Sequence, residues 1–188
     1  MEVIPVFANF LVTEKLNIDN EKIADWCFSQ PELSDKINLT LREPELKEFY
    51  SAVNSVLDKL HNFLGFKNTT EQKIYEGWVN YNTIERTSVP HTHPEATFVC
   101  VYYPKIVGNV GHLELTNPNR VVEHVLSQTH KNNVIENYNV FNSNLWSIPA
   151  QEDVLVVMPS WLQHYVRESE AGATRLSIAI NSKVSSKN

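Results

Sequence analysis

Two stretches of this chain hold residues whose types and spacing suit a metal. The first is Pro90-His91-Thr92-His93-Pro94-Glu95. In extended backbone, side chains two apart project to the same side, so His91, His93 and Glu95 would point together. Pro90 biases Val89, and Pro94 biases His93, towards the β region, which keeps the pair extended. Neutral imidazoles sharing one face are the start of a site for iron, zinc, copper or nickel. Two histidines can also sit by chance on a surface loop, so a further ligand must come from elsewhere. His164 is the candidate, at the end of Pro159-Ser160-Trp161-Leu162-Gln163-His164, a proline turn that follows the apolar run 154–158.

A third stretch suits an anion. From Thr174 to Asn181 the sequence alternates, with Leu176, Ile178 and Ile180 on one side and Arg175, Ser177, Ala179 and Asn181 on the other. If that second side faces water, Arg175 is a solvated surface charge. If it faces a cavity, the guanidinium needs an anion, and a carboxylate held by two parallel hydrogen bonds is the natural partner. Asn80 is a candidate hydrogen-bonding group beside the same cavity, or equally a satisfied structural amide.

The elements that must position these residues follow from pattern. Residues 2–12 read as a strand, with Pro5 suiting an edge. Residues 20–29 read as a helix with Asn20 as its N-cap and Pro31 beyond its end. From Pro44, a first-turn proline, Leu46, Phe49, Tyr50, Val53, Val56, Leu57 and Leu60 recur at helical spacing until Gly65. His61, late in that helix, reads as solvated surface. In an extended 74–83, Ile74, Glu76, Trp78, Asn80 and Asn82 would share one face. Turns at 108–111 and 117–119 bound a strand over 112–116. His112, His124 and His130 read as surface or loop histidines. Residues 126–144, rich in Asn, read as a lid or binding loop.

Many short strands after two helices predict a mainly β, jelly-roll architecture with helices packed outside. A length of 188 residues, 42% hydrophobic and 20% charged, suits a single domain over 1–188. Within it, 1–70 would supply a strand and supporting helices, 71–182 the β core, and 183–188 a frayed tail. A net charge of −6 argues against nucleic-acid backbone as a partner. Cys27 and Cys100 are too few and too far apart for a disulfide framework, no apolar run reaches membrane-span length, and no signal-peptide layout is seen. Cytoplasmic localisation is the expectation.

The motifs together resemble a known family. Gly77-Trp78-Val79-Asn80, His91-Thr92-His93-Pro94, Val101-Tyr102-Tyr103, Asn117-Pro118, then Met158-Pro159-Ser160-Trp161-Leu162-Gln163-His164 and Arg175-Leu176-Ser177-Ile178 are similar, in order and spacing, to the Fe(II)/2-oxoglutarate-dependent oxygenases. More narrowly they resemble a group common in phage and marine bacterial genomes. The resemblance implies a double-stranded β-helix with Fe(II) in its open mouth and 2-oxoglutarate as co-substrate. It also implies hydroxylation of a C–H bond of a small-molecule or peptidyl substrate, with succinate and CO₂ as co-products. Arg175, helped by Ser177 and Asn80, would take the far carboxylate of 2-oxoglutarate. The family's common ligand set places a carboxylate two residues after the first histidine, where this chain has His93. The ligands are therefore His91, His93 and His164, or else His93, Glu95 and His164 with His91 behind them. The first set is favoured, because Glu95 falls where a strand should already begin. Of Trp78, Tyr81, Tyr102, Tyr103 and Trp161, some would wall the pocket. Two other functions use the same residues. A zinc hydrolase would need Glu95 as general base and leaves Arg175 without a role. A cupin-like carboxylate-binding module needs no open coordination position.

Overall fold

The computed structural model describes residues 1–4, 6–30, 37–38, 43–82, 88–119 and 134–187. Among them the order is β1 (Val12–Lys15), α1 (Asn20–Ser29), β2 (Ile37–Asn38), a 3₁₀ turn (Pro44–Leu46), α2 (Lys47–Phe63), β3 (Thr70–Asn82), β4 (Phe98–Val107), β5 (Leu113–Thr116), β6 (Leu145–Ile148), β7 (Val154–Pro159), β8 (His164–Val166) and β9 (Thr174–Ser186). Six strands form one antiparallel sheet in the order β1-β7-β4-β9-β3-β2, and three form a second in the order β6-β5-β8. The protein is thus mainly β, with two helices among the described residues.

The helices cover one face of the large sheet. The apolar stripe of α2, with Phe49, Val53, Val56, Leu57 and Leu60, packs with Ile23 and Cys27 of α1 onto Val79, Phe98, Cys100, Tyr102, Leu155, Val157, Leu176, Ile178 and Ile180. Phe49 is fully buried against Tyr102, and truncating such a ring to Ala costs about 3–5 kcal/mol. Asp19, not Asn20, caps α1: its carboxylate accepts from the Lys22 N–H at 3.1 Å. His61 is buried rather than solvated. It stacks on Phe66, and its ring nitrogens lie within hydrogen-bonding distance of the Lys67 carbonyl, Thr70 Oγ1 and Gln72 Nε2. The α2 stripe simply extends one position further than the apolar residues alone indicate.

Two strand expectations change. The N-terminal strand is Val12–Lys15, paired with β7, and not 2–12; Phe7 sits at φ 56°, a left-handed turn that breaks extended chain before the sheet edge. Pro5 and Pro31 lie outside the described residues. At the other end, β9 runs on to Ser186, into the stretch read as a tail, because β3 begins at Thr70 and offers Thr70 and Glu71 as partners for Ser186 and Ser185.

The opposite face of the large sheet meets the small one. Val99, Tyr103, Val156 and Met158 pack against Leu113, Leu115 and Leu162 in a second core. Along this inner face the β3–β9 ladder sets Asn80 opposite Ser177, Trp78 opposite Ala179 and Glu76 opposite Asn181, and Arg175 follows Ser177 on β9. Ile74 is not with them. The register shifts between Ile74 and Glu76, an extra residue at Tyr75, and that bulge turns Ile74 back to the helix-side core.

Candidate active site

His91, His93 and His164 converge at one end of the inner face. One ring nitrogen from each lies within 4.8 Å of the others. Backbone, not side-chain packing, sets this geometry. The N–H of His91 donates to the carbonyl of His164 and the N–H of His164 to the carbonyl of His91, both at 3.0 Å, and the His93 N–H donates to Ser160 O at 2.9 Å. The turn at the end of β7 is thereby tied to the His-x-His segment.

The imidazoles are oriented for metal. His91 Nδ1 lies 2.7 Å from Val89 O, and His164 Nδ1 lies 2.9 Å from Leu162 O. A carbonyl can only accept, so each Nδ1 carries the proton and each Nε2 presents its lone pair, the tautomer that metal ligation requires. Burial pushes the His164 pKa down to about 4; the Leu162 hydrogen bond opposes this, and His91 and His93 add to it. At neutral pH this ring is uncharged and able to ligate. His93 lies between two parallel rings, stacked on Trp78 at 5.9 Å and on His164 at 5.2 Å between centroids. These donors fit a divalent transition metal.

Glu95 does not join them. It is exposed in a turn closed by the Ala96 N–H donating to His93 O at 3.0 Å, so 91, 93 and 95 do not share one extended face. Proline 94 ends the extended stretch one residue too early.

Arg175 is 2% exposed on the inner face. Its Nη1 donates to Gly111 O at 2.8 Å, and no carboxylate pairs with it among the described residues. Burial lowers its pKa, while the neighbouring Tyr103 phenol opposes the shift. Ser177 is buried beside it on β9, and Asn80 is half-buried opposite Ser177. Gly111 is there by necessity: a Cβ would meet Arg167 O at 1.8 Å, where the two backbones cross.

Of the aromatic residues considered as pocket walls, Trp78 and Tyr103 are on the inner side. Tyr81 and Tyr102 pack towards the helices, and Trp161 is exposed, its Nε1 3.4 Å from Asn9 Oδ1. His112 is half-buried and bonded to Ser147 Oγ, away from the triad. His124, His130 and residues 126–133 of the supposed lid lie outside the described residues. Sequence reasoning missed the Trp78–His93 stack and the Gly111 anchor. Trp78 was visible as a residue two before Asn80 on one face; nothing in the sequence singled out a carbonyl oxygen.

Comparisons with known proteins place the chain in a family and give its fold neighbours. Residues 76–181, more than half of the chain, match the family model "Putative 2OG-Fe(II) oxygenase". The fold is similar to a prolyl-4-hydroxylase of Pseudomonas putida (TM-score 0.62, 11% identity, covering 93% of this chain and 92% of that one). It is also similar to a viral collagen prolyl hydroxylase of Paramecium bursaria Chlorella virus 1 in complex with 2OG (TM-score 0.60, 6% identity, 92% and 96%). A third similar structure is HygX of Streptomyces hygroscopicus with nickel and 2-oxoglutarate bound (TM-score 0.57, 10% identity, 93% and 83%). No curated protein matches the chain.

Proposed function

Because this chain belongs to the 2OG-Fe(II) oxygenase family, whose cofactors are Fe(II) and 2-oxoglutarate, we propose that it hydroxylates a C–H bond of a small-molecule or peptidyl substrate, with succinate and CO₂ as co-products. His91, His93 and His164 are the metal ligands in this reading. Arg175 and Ser177, with Asn80 across the ladder, bind the far carboxylate of 2-oxoglutarate. The two facing antiparallel sheets are read as the double-stranded β-helix of the family, and the protein as a cytoplasmic enzyme.

The observation that carries this reading is Arg175. A buried guanidinium whose described partner is one backbone carbonyl is expensive unless an anion completes it, because desolvation is offset only by a full set of charge-assisted hydrogen bonds. It shares the inner face with Trp78, which stacks on His93, so the anion would lie in line with the triad. A dicarboxylate reaching from Arg175 towards the histidines answers both ends.

The chain's own contributions are then separable. The Val89 and Leu162 carbonyls hold His91 and His164 in the ligating tautomer. The Gly111 carbonyl aims the guanidinium. Trp78 and Tyr103 keep water from the space between, where electrostatic contacts are strongest. Fe(II) held by the histidines supplies the oxygen-activating chemistry. A zinc hydrolase would need a base near the metal; Glu95 is turned outward, and Arg175 would be left without a role.

The test is uncoupled turnover: succinate formed from 2-oxoglutarate with Fe(II), ascorbate and O₂, run beside calorimetry of 2-oxoglutarate binding to Mn(II)-loaded protein. Protein that neither binds 2-oxoglutarate nor forms succinate would sink the proposal.

A further inference from the structure

Past Trp78, on the side away from Arg175, the inner face carries two acceptors, ahead of Lys183, whose Nζ lies 4.8 Å from the centre of the Tyr75 ring. Along β9 the inward positions run Arg175, Ser177, Ala179, Asn181, and along β3 the partners of the last three run Asn80, Trp78, Glu76. Trp78 stacks on His93, and along the strands Arg175 lies to one side of Trp78 while the Glu76–Asn181 pair lies one pleat, about 7 Å, to the other. If 2-oxoglutarate occupies the Arg175 end, the other end faces the substrate.

Asn181 is 4% exposed. Its Nδ2 donates to Glu76 Oε2 at 2.8 Å. Its Oδ1 is buried with no hydrogen-bond partner. Rotating the amide does not help, because that would set Oδ1 against the carboxylate. A buried acceptor without a donor carries a desolvation cost that a ligand donor would remove. Glu76 beside it is half-buried and has no ion pair among the described residues. Tyr75 reports the same field: its own burial first, then Glu76 and Glu95, raise its pKa. Two acceptors side by side, one of them a carboxylate, fit a group with several N–H donors and a positive charge.

We propose that Glu76 and Asn181 select the substrate, taking a guanidinium or ammonium group, free or on a peptide, beside the carbon to be hydroxylated. This rests on the oxygenase reading above. The Glu76 carboxylate accepts from the cation, and Asn181 Oδ1 accepts a second N–H, which fixes the side chain's direction relative to the triad.

The experiment measures binding by calorimetry to protein loaded with Mn(II) and 2-oxoglutarate. The probes are free L-arginine and L-lysine against L-citrulline and L-norleucine, and acetyl-Ala-X-Ala-amide peptides carrying the same four side chains. The free and peptidyl arms tell the two sources apart. At least one cationic probe should bind about tenfold or more tighter than its neutral counterpart, the size expected for hydrogen bonds to a charged group. Glu76→Gln, nearly the same shape, should erase that preference, and retention of Mn(II) and 2-oxoglutarate by the variant separates loss of this contact from loss of fold. Asn181→Leu, which removes the orphan acceptor, should weaken the cationic probe in the same direction. Equal binding of cationic and neutral probes, no binding of any, or a preference that survives Glu76→Gln overturns the proposal. Wild type that fails to bind 2-oxoglutarate sinks the oxygenase reading itself.

Discussion

His91 and His164 bind each other through their backbones, each N–H donating to the other's carbonyl at 3.0 Å. The two residues are 73 apart in sequence, yet their rings are 4.5 Å apart between centroids. A side-chain substitution at either position therefore leaves the bridge in place and removes only the imidazole. This makes the ligand test clean. His91→Ala, His93→Ala and His164→Ala should each weaken Fe(II) binding by more than the 10–100-fold typical of losing an outer partner of a ligand. Glu95→Ala should retain iron. Metal content after gel filtration reads the result, and loss of iron in Glu95→Ala with retention in His91→Ala would transfer the site to the carboxylate set.

Arg175→Ala should weaken 2-oxoglutarate binding by about 30-fold to several thousandfold, the range for truncating one side of a buried charge pair. Arg175→Lys should recover part of it, since an ammonium cannot reproduce the guanidinium fork. Iron content should stay at the wild-type level in both. Calorimetry with Mn(II) reads the affinity, and unchanged binding in Arg175→Ala removes this residue from the co-substrate site.

Gly111→Ala should act on the same function from the backbone. The added Cβ would meet the Arg167 carbonyl, which cannot swing aside as a side-chain tip could. Overpacking of this kind costs about 1–3 kcal/mol. The urea midpoint should fall accordingly, and 2-oxoglutarate affinity with it, because the carbonyl that aims Arg175 must move. Wild-type stability in this variant would mean that the backbones at Gly111 and Arg167 separate freely there.

The pH dependence follows from His164. Its pKa in the folded protein is about 4, below the ordinary 6.5, so the unfolded chain binds the proton more readily. Its contribution to stability is complete above pH 6.5 and is lost progressively as pH falls towards 4, at up to about 1.4 kcal/mol per unit. Metal-free protein should therefore show a falling urea midpoint between pH 6.5 and 4.5, a slope that His164→Gln reduces. Iron should leave the wild type as pH falls towards 4, since protons then compete for His164. A flat stability profile in metal-free wild type would contradict a buried neutral His164.

What could be read from sequence was what repeats. The 3.6-residue stripe from Leu46 to Leu60 and the alternation from Arg175 to Asn181 specify faces without any tertiary information, and both faces are as the pattern says. The metal-like trio was legible, among seven histidines, because its spacing is chemical. What was not legible depends on backbone. Whether Glu95 shares a face with His93 turns on a tight turn at Pro94, and where Ile74 points turns on one extra residue. His61 looked like a polar surface position; its burial needed Phe66, Thr70 and Gln72, which come from beyond the helix.

The irregularity at Tyr75 also divides β3 into two independently phased halves. Residues before it are keyed to the helix-side core through Ile74, and residues after it to the catalytic side through Glu76, Trp78 and Asn80. Were β3 to pleat regularly through Tyr75 with every residue kept, holding Ile74 in the apolar layer would turn Val79 and Tyr81 to the metal side, and holding Trp78 against His93 would turn Ile74 out of the apolar layer. Deleting Tyr75 instead makes Ile74 opposite Ser182 and Glu76 opposite Asn181 successive pairs of one regular ladder, so both cores keep their residues. A single-codon deletion at this point should thus leave both faces intact, a tolerance that the strand's length alone would never reveal.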